Sequence, residues 1–302
     1  MIHHANDPRT AMILLRFATF LCLGGWAWGH LYWEGPYGVL LWQDSTYQIA
    51  QWLGISWDEF VGSGAGDGWV QRCNVWIGWF YALAAVLSLT ARRTSYVQLA
   101  ILTTSTLMLG ILSYAKYVSA QYQLPMLIEH GGQVLSPLLL TTAIVKGPTH
   151  RGTIIIAMIA VVTTFAGHGS YAIGWWPTPG NFFAMTTLTL GLEYESAKTV
   201  LRAAGVLDFA VCVLLFVPPL RQIAVGYAAV WGMLTALARP VAGMSMTLIY
   251  WGADQYIHET VLRAPHFLIP LFLVFVWRKP NFRVDRNSAD QQTPAVVGVV
   301  SR

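Results

Sequence analysis

The sequence predicts an all-α integral membrane protein with about eight transmembrane helices, arranged as two parallel-repeat four-helix units. Three observations predict it. Hydrophobic residues make up 55% of the chain and charged residues 11%, whereas a soluble domain carries roughly 25% charged residues. There is too little polar surface to face water on all sides, and the mean hydropathy of +0.51 agrees. The chain also divides into apolar runs, each near the length of about 20 residues that a bilayer-spanning helix needs. The loops between those runs alternate between basic and acidic.

The runs cover 11–31, 70–90, 95–117, 124–145, 152–172, 198–217, 220–238 and 260–277. The first is too long for a signal-peptide core, contains Arg16 and lacks a small-x-small cleavage site, so it reads as a retained helix. The last is interrupted by Pro265 and Pro270. In the long loop 32–69, apolar pieces (GVLLW, QIAQWLG) are broken by Gly and Asp, the pattern of short helices lying at a membrane interface. Residues 240–259 read similarly, with Tyr250, Trp251 and Tyr256 as interfacial aromatics. The tail 281–302 is polar, then small and apolar, and is expected to be disordered and cytoplasmic.

Loops on the cytoplasmic side of a membrane are enriched in Lys and Arg. Arg92 and Arg93 follow the second run, Lys146 and Arg151 the fourth, Arg221 the sixth, and Arg278, Lys279, Arg283 and Arg286 the eighth. The acids gather in the other loops: Glu34, Asp44, Asp58, Glu59 and Asp67, then Glu193 and Glu195, then Asp254 and Glu259. Eight crossings put all these bases on one side together with both termini. A miscount of one helix breaks the alternation. The expectation is a protein of the cytoplasmic (inner) membrane, with cytoplasmic termini and membrane lipid around it. The net charge of +4 is explained by these loops. No basic patch interleaved with aromatics lies outside the apolar runs, which counts against nucleic acid as a partner.

The two halves match. The first run ends in Gly29-His30, followed by Trp33 and Pro36; the fifth holds Gly167-His168, followed by Trp175 and Pro177. Arg72 opens the second run and Arg202 lies near the start of the sixth. The fourth reads HGGQVLSPLLL from His130 and the eighth RAPHFLIPLFL from Arg263, with Pro137 aligned to Pro270. Four helices separate each pair, so the halves share one orientation, a parallel repeat about an axis along the membrane normal. The expected units are 1–147, with the outward loop 32–69, then 148–280, then the tail 281–302.

Over 150–280, a Gly-rich first helix with a polar end is followed by RAAGVLDFAVCVLLF, RQIAVGYAAVWGMLTALARP and a Pro-containing last helix. This pattern resembles the DoxX/DoxD-like superfamily of small four-helix membrane proteins; 11–145 resembles it more weakly. Some members of that superfamily are membrane subunits of oxidoreductases, including thiosulfate:quinone oxidoreductase. The resemblance implies a membrane component of a redox system, with a quinone as ligand and a separate redox protein subunit as partner. This chain would be a fused double unit, where the usual form is single, and the shared pattern holds no catalytic signature.

An ionisable side chain at the bilayer centre costs about 2.5–3.5 kcal/mol on insertion scales, so such residues face the bundle interior and have partners. Glu259, Arg263 and His266 stand at i, i+4 and i+7 and share one helical stripe. Glu129, Gln133 and Ser136 have the same spacing, with His130 beside Glu129. His30, His168 and Arg202 lie at the same, outer level. The ligand-binding candidates are therefore His168, Arg202, Glu259, Arg263, His266, His30, Glu129 and His130. Together they describe an outer-leaflet pocket for an anion or for the carbonyl oxygens of a quinone, where a His beside a Glu can exchange protons. Plainer readings stand beside this one. Lys116, Arg72 and Arg239, at helix ends, are expected to snorkel to headgroups. Glu259 with Arg263 reads equally as an intrahelical ion pair, and each His as a hydrogen-bonded core residue. Asp208, near the middle of the sixth run, must be protonated or paired, and the sequence does not name its partner.

Cys22, Cys73 and Cys212 show no CxxC or Cys/His spacing, so no disulfide framework or metal site is expected. There is no Walker loop, GxGxxG turn, GxSxG elbow or HExxH. Without CxxCH a c-type haem is not expected, and a b-haem between His30 and His168, or between His130 and His266, is less favoured than a quinone. The leading reading is a membrane component of a redox system, with a polar outer-leaflet pocket for a quinone or small substrate. The alternatives are a small-molecule transporter and a non-catalytic structural or assembly subunit.

Overall fold

The computed structural model describes residues 8–62, 68–244 and 254–278. Among them every regular element is an α-helix. α1 (Pro8–Tyr32) leads into three short helices, α2 (Gly38–Leu41), α3 (Asp44–Trp52) and α4 (Trp57–Val61), over the long loop where such pieces were expected. Ile49, Trp52, Leu53 and Trp57 are exposed there, giving these helices an apolar outer face. α5 (Trp69–Thr90) and α6 (Tyr96–Ser119) are followed by α7 (Leu124–Ile128) and α8 (Gly131–Lys146), two pieces of the fourth run. α9 (Arg151–Ile173) is followed by α10 (Gly180–Leu190), which the sequence reading left as loop, and then by α11 (Tyr194–Leu214) and α12 (Arg221–Gly243). The last run is again two pieces, α13 (Asp254–Leu262) and α14 (Pro265–Trp277). Tyr250, Trp251 and the tail 281–302 lie outside the described residues.

Six helices among the described residues are long and apolar enough to cross a membrane: α1, α5, α6, α9, α12 and α13–α14 taken together. The two other expected spans fall short for separate reasons. The fourth run is divided, leaving α8 with 16 residues. α11 has 21 residues but carries Glu195, Lys198, Arg202 and Asp208 along its length.

The two divided helices break at matching places, and both breaks have local causes. Pro265 has no N–H to continue the helical ladder, and the Ala264 N–H turns back to Val261 in a tighter bond of 3.1 Å. Gly131 and Gly132 weaken the helix at the other break. Backbone groups freed in apolar surroundings must find partners within the protein, and side chains supply them. Ser113 Oγ donates to the Leu127 carbonyl at 2.8 Å, and His130 Nδ1 to that of Met126 at 2.8 Å. Arg263 donates to the Glu259 carbonyl at 2.8 Å, while the Gly132 N–H reaches Thr164 Oγ1 at 2.9 Å.

Long helices adjacent in sequence pack side by side, and α13–α14 returns onto α1, closing a ring. α1, α8, α9 and α14 form its centre, where α8 touches α14. Each half's first helix lies against the other half's broken helix, α1 on α13–α14 and α9 on α7–α8. The core therefore crosses the expected boundary at 147/148 instead of stopping there.

Close contacts set the register between the halves. A Cβ on Gly25 would overlap the Leu262 backbone, and one on Gly167 the Glu129 backbone. Leu262 and Glu129 correspond when Pro270 is aligned with Pro137, so Gly25 corresponds to Gly167. Gly78 packs on His30 and Leu31 as Gly205 packs on Ala172 and Ile173. Ser113 bonds the Leu127 carbonyl as Thr260 bonds that of Ala236. In this register Trp26, not His30, is the counterpart of His168. The expected pairing of the two Gly-His dipeptides is one helical turn out, because backbone contact sets the depth of the helix and the histidines do not.

At the other end of the ring, Arg16 of α1 reaches the C-terminus of α5. Its Nη atoms donate to the carbonyls of Ser88 (2.9 Å), Leu89 (2.7 Å) and Ala91 (2.7 Å). These carbonyls belong to the turn that has no intrahelical partners, and each hydrogen bond from a charged group contributes about 1.5–3 kcal/mol. Arg16→Met should lower stability by about 2–4 kcal/mol, read as a lower midpoint of thermal unfolding in detergent. Arg16→Lys, with a single donor head, should recover only part. An unchanged midpoint in Arg16→Met would show that the contact contributes nothing.

Candidate functional site

The two helix breaks bring a charged cluster together in the middle of the ring. Glu259 of α13 accepts from Arg239 of α12 at 2.8 Å and from Arg263, at the break, at 3.2 Å. Across the centre, Glu129 lies 3.5 Å from His168 Nδ1 and 3.9 Å from His130 Nδ1. Lys116 of α6 sits 5.1 Å above the Trp26 ring, within the electrostatic reach of Glu129, Glu259, Arg239 and Arg263. Three cations thus face two carboxylates, leaving a net positive charge.

A hydrogen-bond chain runs through the point where α8 and α14 meet. The Trp26 indole, which can only donate, bonds Gln133 Oε1 at 2.9 Å. The amide orientation of Gln133 is fixed by that bond, so its Nε2 faces His266 Nε2 at 3.3 Å. His266 Nε2 must then accept, which puts the proton of the neutral ring on Nδ1. The His266 ring lies edge-on to that of His168, with centroids 5.5 Å apart.

Beside this cluster is a cavity of ≈ 290 Å³. Its polar end is formed by Thr164 and His168 of α9, Arg239 of α12, and Arg263 and His266 at the α13–α14 break. Its walls are largely apolar: Phe182, Met185 and Leu190 of α10, Val200 and Leu201 of α11, and Leu234 and Ala238 of α12. Asp208 of α11 also lines it, with the Trp231 side chain beside its carboxyl group. Among the described residues, Arg239 Nε, Asp208 Oδ1 and Thr189 Oγ1 are buried with no partner, and all three residues line this cavity.

The expected site residues divide accordingly. His168, Arg263 and His266 line the cavity; Glu259 and Glu129 stand behind them as their charge partners; His130 is buried and held on the Met126 carbonyl. Two are not brought together with them. Arg202 is exposed on α11 and does not line the cavity. His30 is buried in a separate ring cluster, its Nδ1 donating to the Trp26 carbonyl at 2.7 Å and its Nε2 accepting from Tyr37 at 3.3 Å. Arg239, expected to snorkel, is instead 9% exposed and pairs with Glu259. The expected continuous stripes on the fourth and eighth runs are each interrupted by a helix break. Asp208, whose partner the sequence left open, has the Trp231 side chain beside it and a buried Oδ1 without a partner. Among the described residues no group of three or more His, Cys, Asp or Glu side chains is placed to hold a metal ion.

No protein-family model, curated protein or solved structure matches this chain.

Removing one member of a buried ion pair leaves an uncompensated charge and costs about 3–5 kcal/mol. Glu259 is partly accessible, so Glu259→Gln should cost less, about 2–3 kcal/mol. The expected readout is a lower unfolding midpoint, with partial recovery when Arg263→Met is added. Recovery absent from the double variant would mean that repulsion between Arg239 and Arg263 is not what destabilises the single one.

Proposed function

We propose that this chain is an integral protein of the cytoplasmic membrane, with eight crossings and both termini cytoplasmic, and that it serves as the membrane component of a redox system whose cavity binds a quinone. Six apolar helices supply most of the crossings. α7–α8 packs between α6 and α9, and α11 between α9 and α12, which supports counting both as crossings. The basic loops then fall on one side. The matching contacts of the halves support the parallel four-helix repeat, and the sequence pattern adds the resemblance to DoxX-like proteins.

The observation that carries the functional reading is the lining of the cavity. An apolar wall suits an isoprenoid tail, and Arg239, Arg263 and His168 at one end suit the oxygens of a quinone head. Quinone reduction takes up electrons, here from a separate redox protein, and protons. His168, with Glu129 behind its Nδ1, is a group able to pass those protons.

Two measurements test the proposal. Protein purified in mild detergent and extracted with organic solvent should yield bound quinone by chromatography. Arg239→Ala should lose most of it, and extracts free of quinone from protein purified out of native membranes would remove the reading. Topology is tested separately in a background without native cysteines, using an impermeant thiol reagent on intact cells. Ser63→Cys should be labelled and Ser288→Cys should not; the reverse pattern overturns the orientation.

A further inference from the structure

The register between the halves assigns each cavity-lining residue a counterpart, and those counterparts show how the first half fills the equivalent space. Gly25 and Gly167 correspond, so Trp26 matches His168 and His30 matches Ala172. Gly78 and Gly205 correspond, so Tyr81 matches Asp208. Ser113 and Ala236 correspond, so Lys116 matches Arg239.

In the first half three rings take the matching positions. Trp26, His30 and Tyr81 are all buried. The His30 ring lies edge-on to Trp26 at 5.9 Å and to Tyr81 at 5.3 Å. Trp26 lies flat against a cation, Lys116, at 5.1 Å, and bonds Gln133 at 2.9 Å. In the second half the matching residues are a smaller ring, a methyl group and a carboxylate, and the cavity of ≈ 290 Å³ opens there. Its cation, Arg239, keeps a buried Nε without a partner, and the counterpart of Gln133 is His266.

We infer that the cavity takes a flat ring headgroup bearing polar substituents, seated against Arg239 and hydrogen-bonded near His266 and Asp208, as Trp26 of the first half sits against Lys116 and Gln133 with the rings of His30 and Tyr81 packed behind it. The inference rests on the cavity being a ligand site and specifies its ligand; it does not depend on electron transfer. The buried Arg239 N–H can donate to a carbonyl oxygen at the edge of such a ring, and a space matching vacated rings admits a planar head where a single-chain carboxylate leaves it unfilled.

The test gives the second half the residues of the first. In the purified full chain, a short-chain para-benzoquinone should quench tryptophan fluorescence saturably, since Trp231 lines the cavity, and dodecanoate should not displace it. The double variant Ala172→His with Asp208→Tyr should weaken quinone binding by about tenfold or more while its unfolding midpoint stays level or rises. Should that variant not fold, Ala172→Leu fills part of the same space and should weaken binding in the same direction. Displacement of the quinone by dodecanoate at similar concentration, or wild-type affinity in a folded filled variant, overturns the assignment. If the ring binds and filling the cavity abolishes binding without altering electron transfer by the native membrane system, the ring assignment stands and the redox reading fails.

Discussion

A backbone carbonyl or N–H freed inside an apolar bundle has no water to turn to, so every break in a buried helix must be met by a side chain of the protein. This chain breaks two such helices at matching places, and much of its polar chemistry answers those breaks. Ser113, His130, Thr164 and Arg263 each satisfy a group near a break. Two of them, His130 and Arg263, are also members of the charged cluster. Their carboxylate partners follow from the cost of a lone buried charge: Glu129 between two histidines, Glu259 between two arginines. Two residues at the cavity's polar end, Thr164 and Arg263, are thus held by the same bonds that satisfy the backbone at the breaks.

That dependence explains what could be read from the sequence. Apolar runs report helices directly, and Pro265 announces one break. Glu259, Arg263 and His266 come together because helical spacing is local information. Register between distant helices is not local. The matched Gly-His dipeptides offered an alignment by identity, but depth is set by Gly25 and Gly167, whose missing side chains admit another helix's backbone. A glycine's packing partner cannot be seen in one sequence, so His30 was paired a turn away from its true counterpart. For a related reason, only tertiary packing distinguishes Arg239, beside Glu259, from the exposed Arg202. α10 is not announced by the sequence because its 11 residues are too few to span, yet it walls the cavity.

The asymmetry of the halves bears on why the cavity exists. A cavity of ≈ 290 Å³ costs stability wherever nothing packs against its walls, because the wall atoms there lose their contacts. The first half avoids the cost by filling the space with its own Trp26, His30 and Tyr81. The first half thus closes the matching space with ordinary side chains, whereas the second half leaves a cavity walled on one side by α10. With Ala172 and Asp208 in place of two large rings, and Arg239 Nε facing inward without a partner, the second half forgoes both packing and hydrogen bonding. An occupant that supplied a flat ring and acceptors would restore both the packing and the hydrogen bonds.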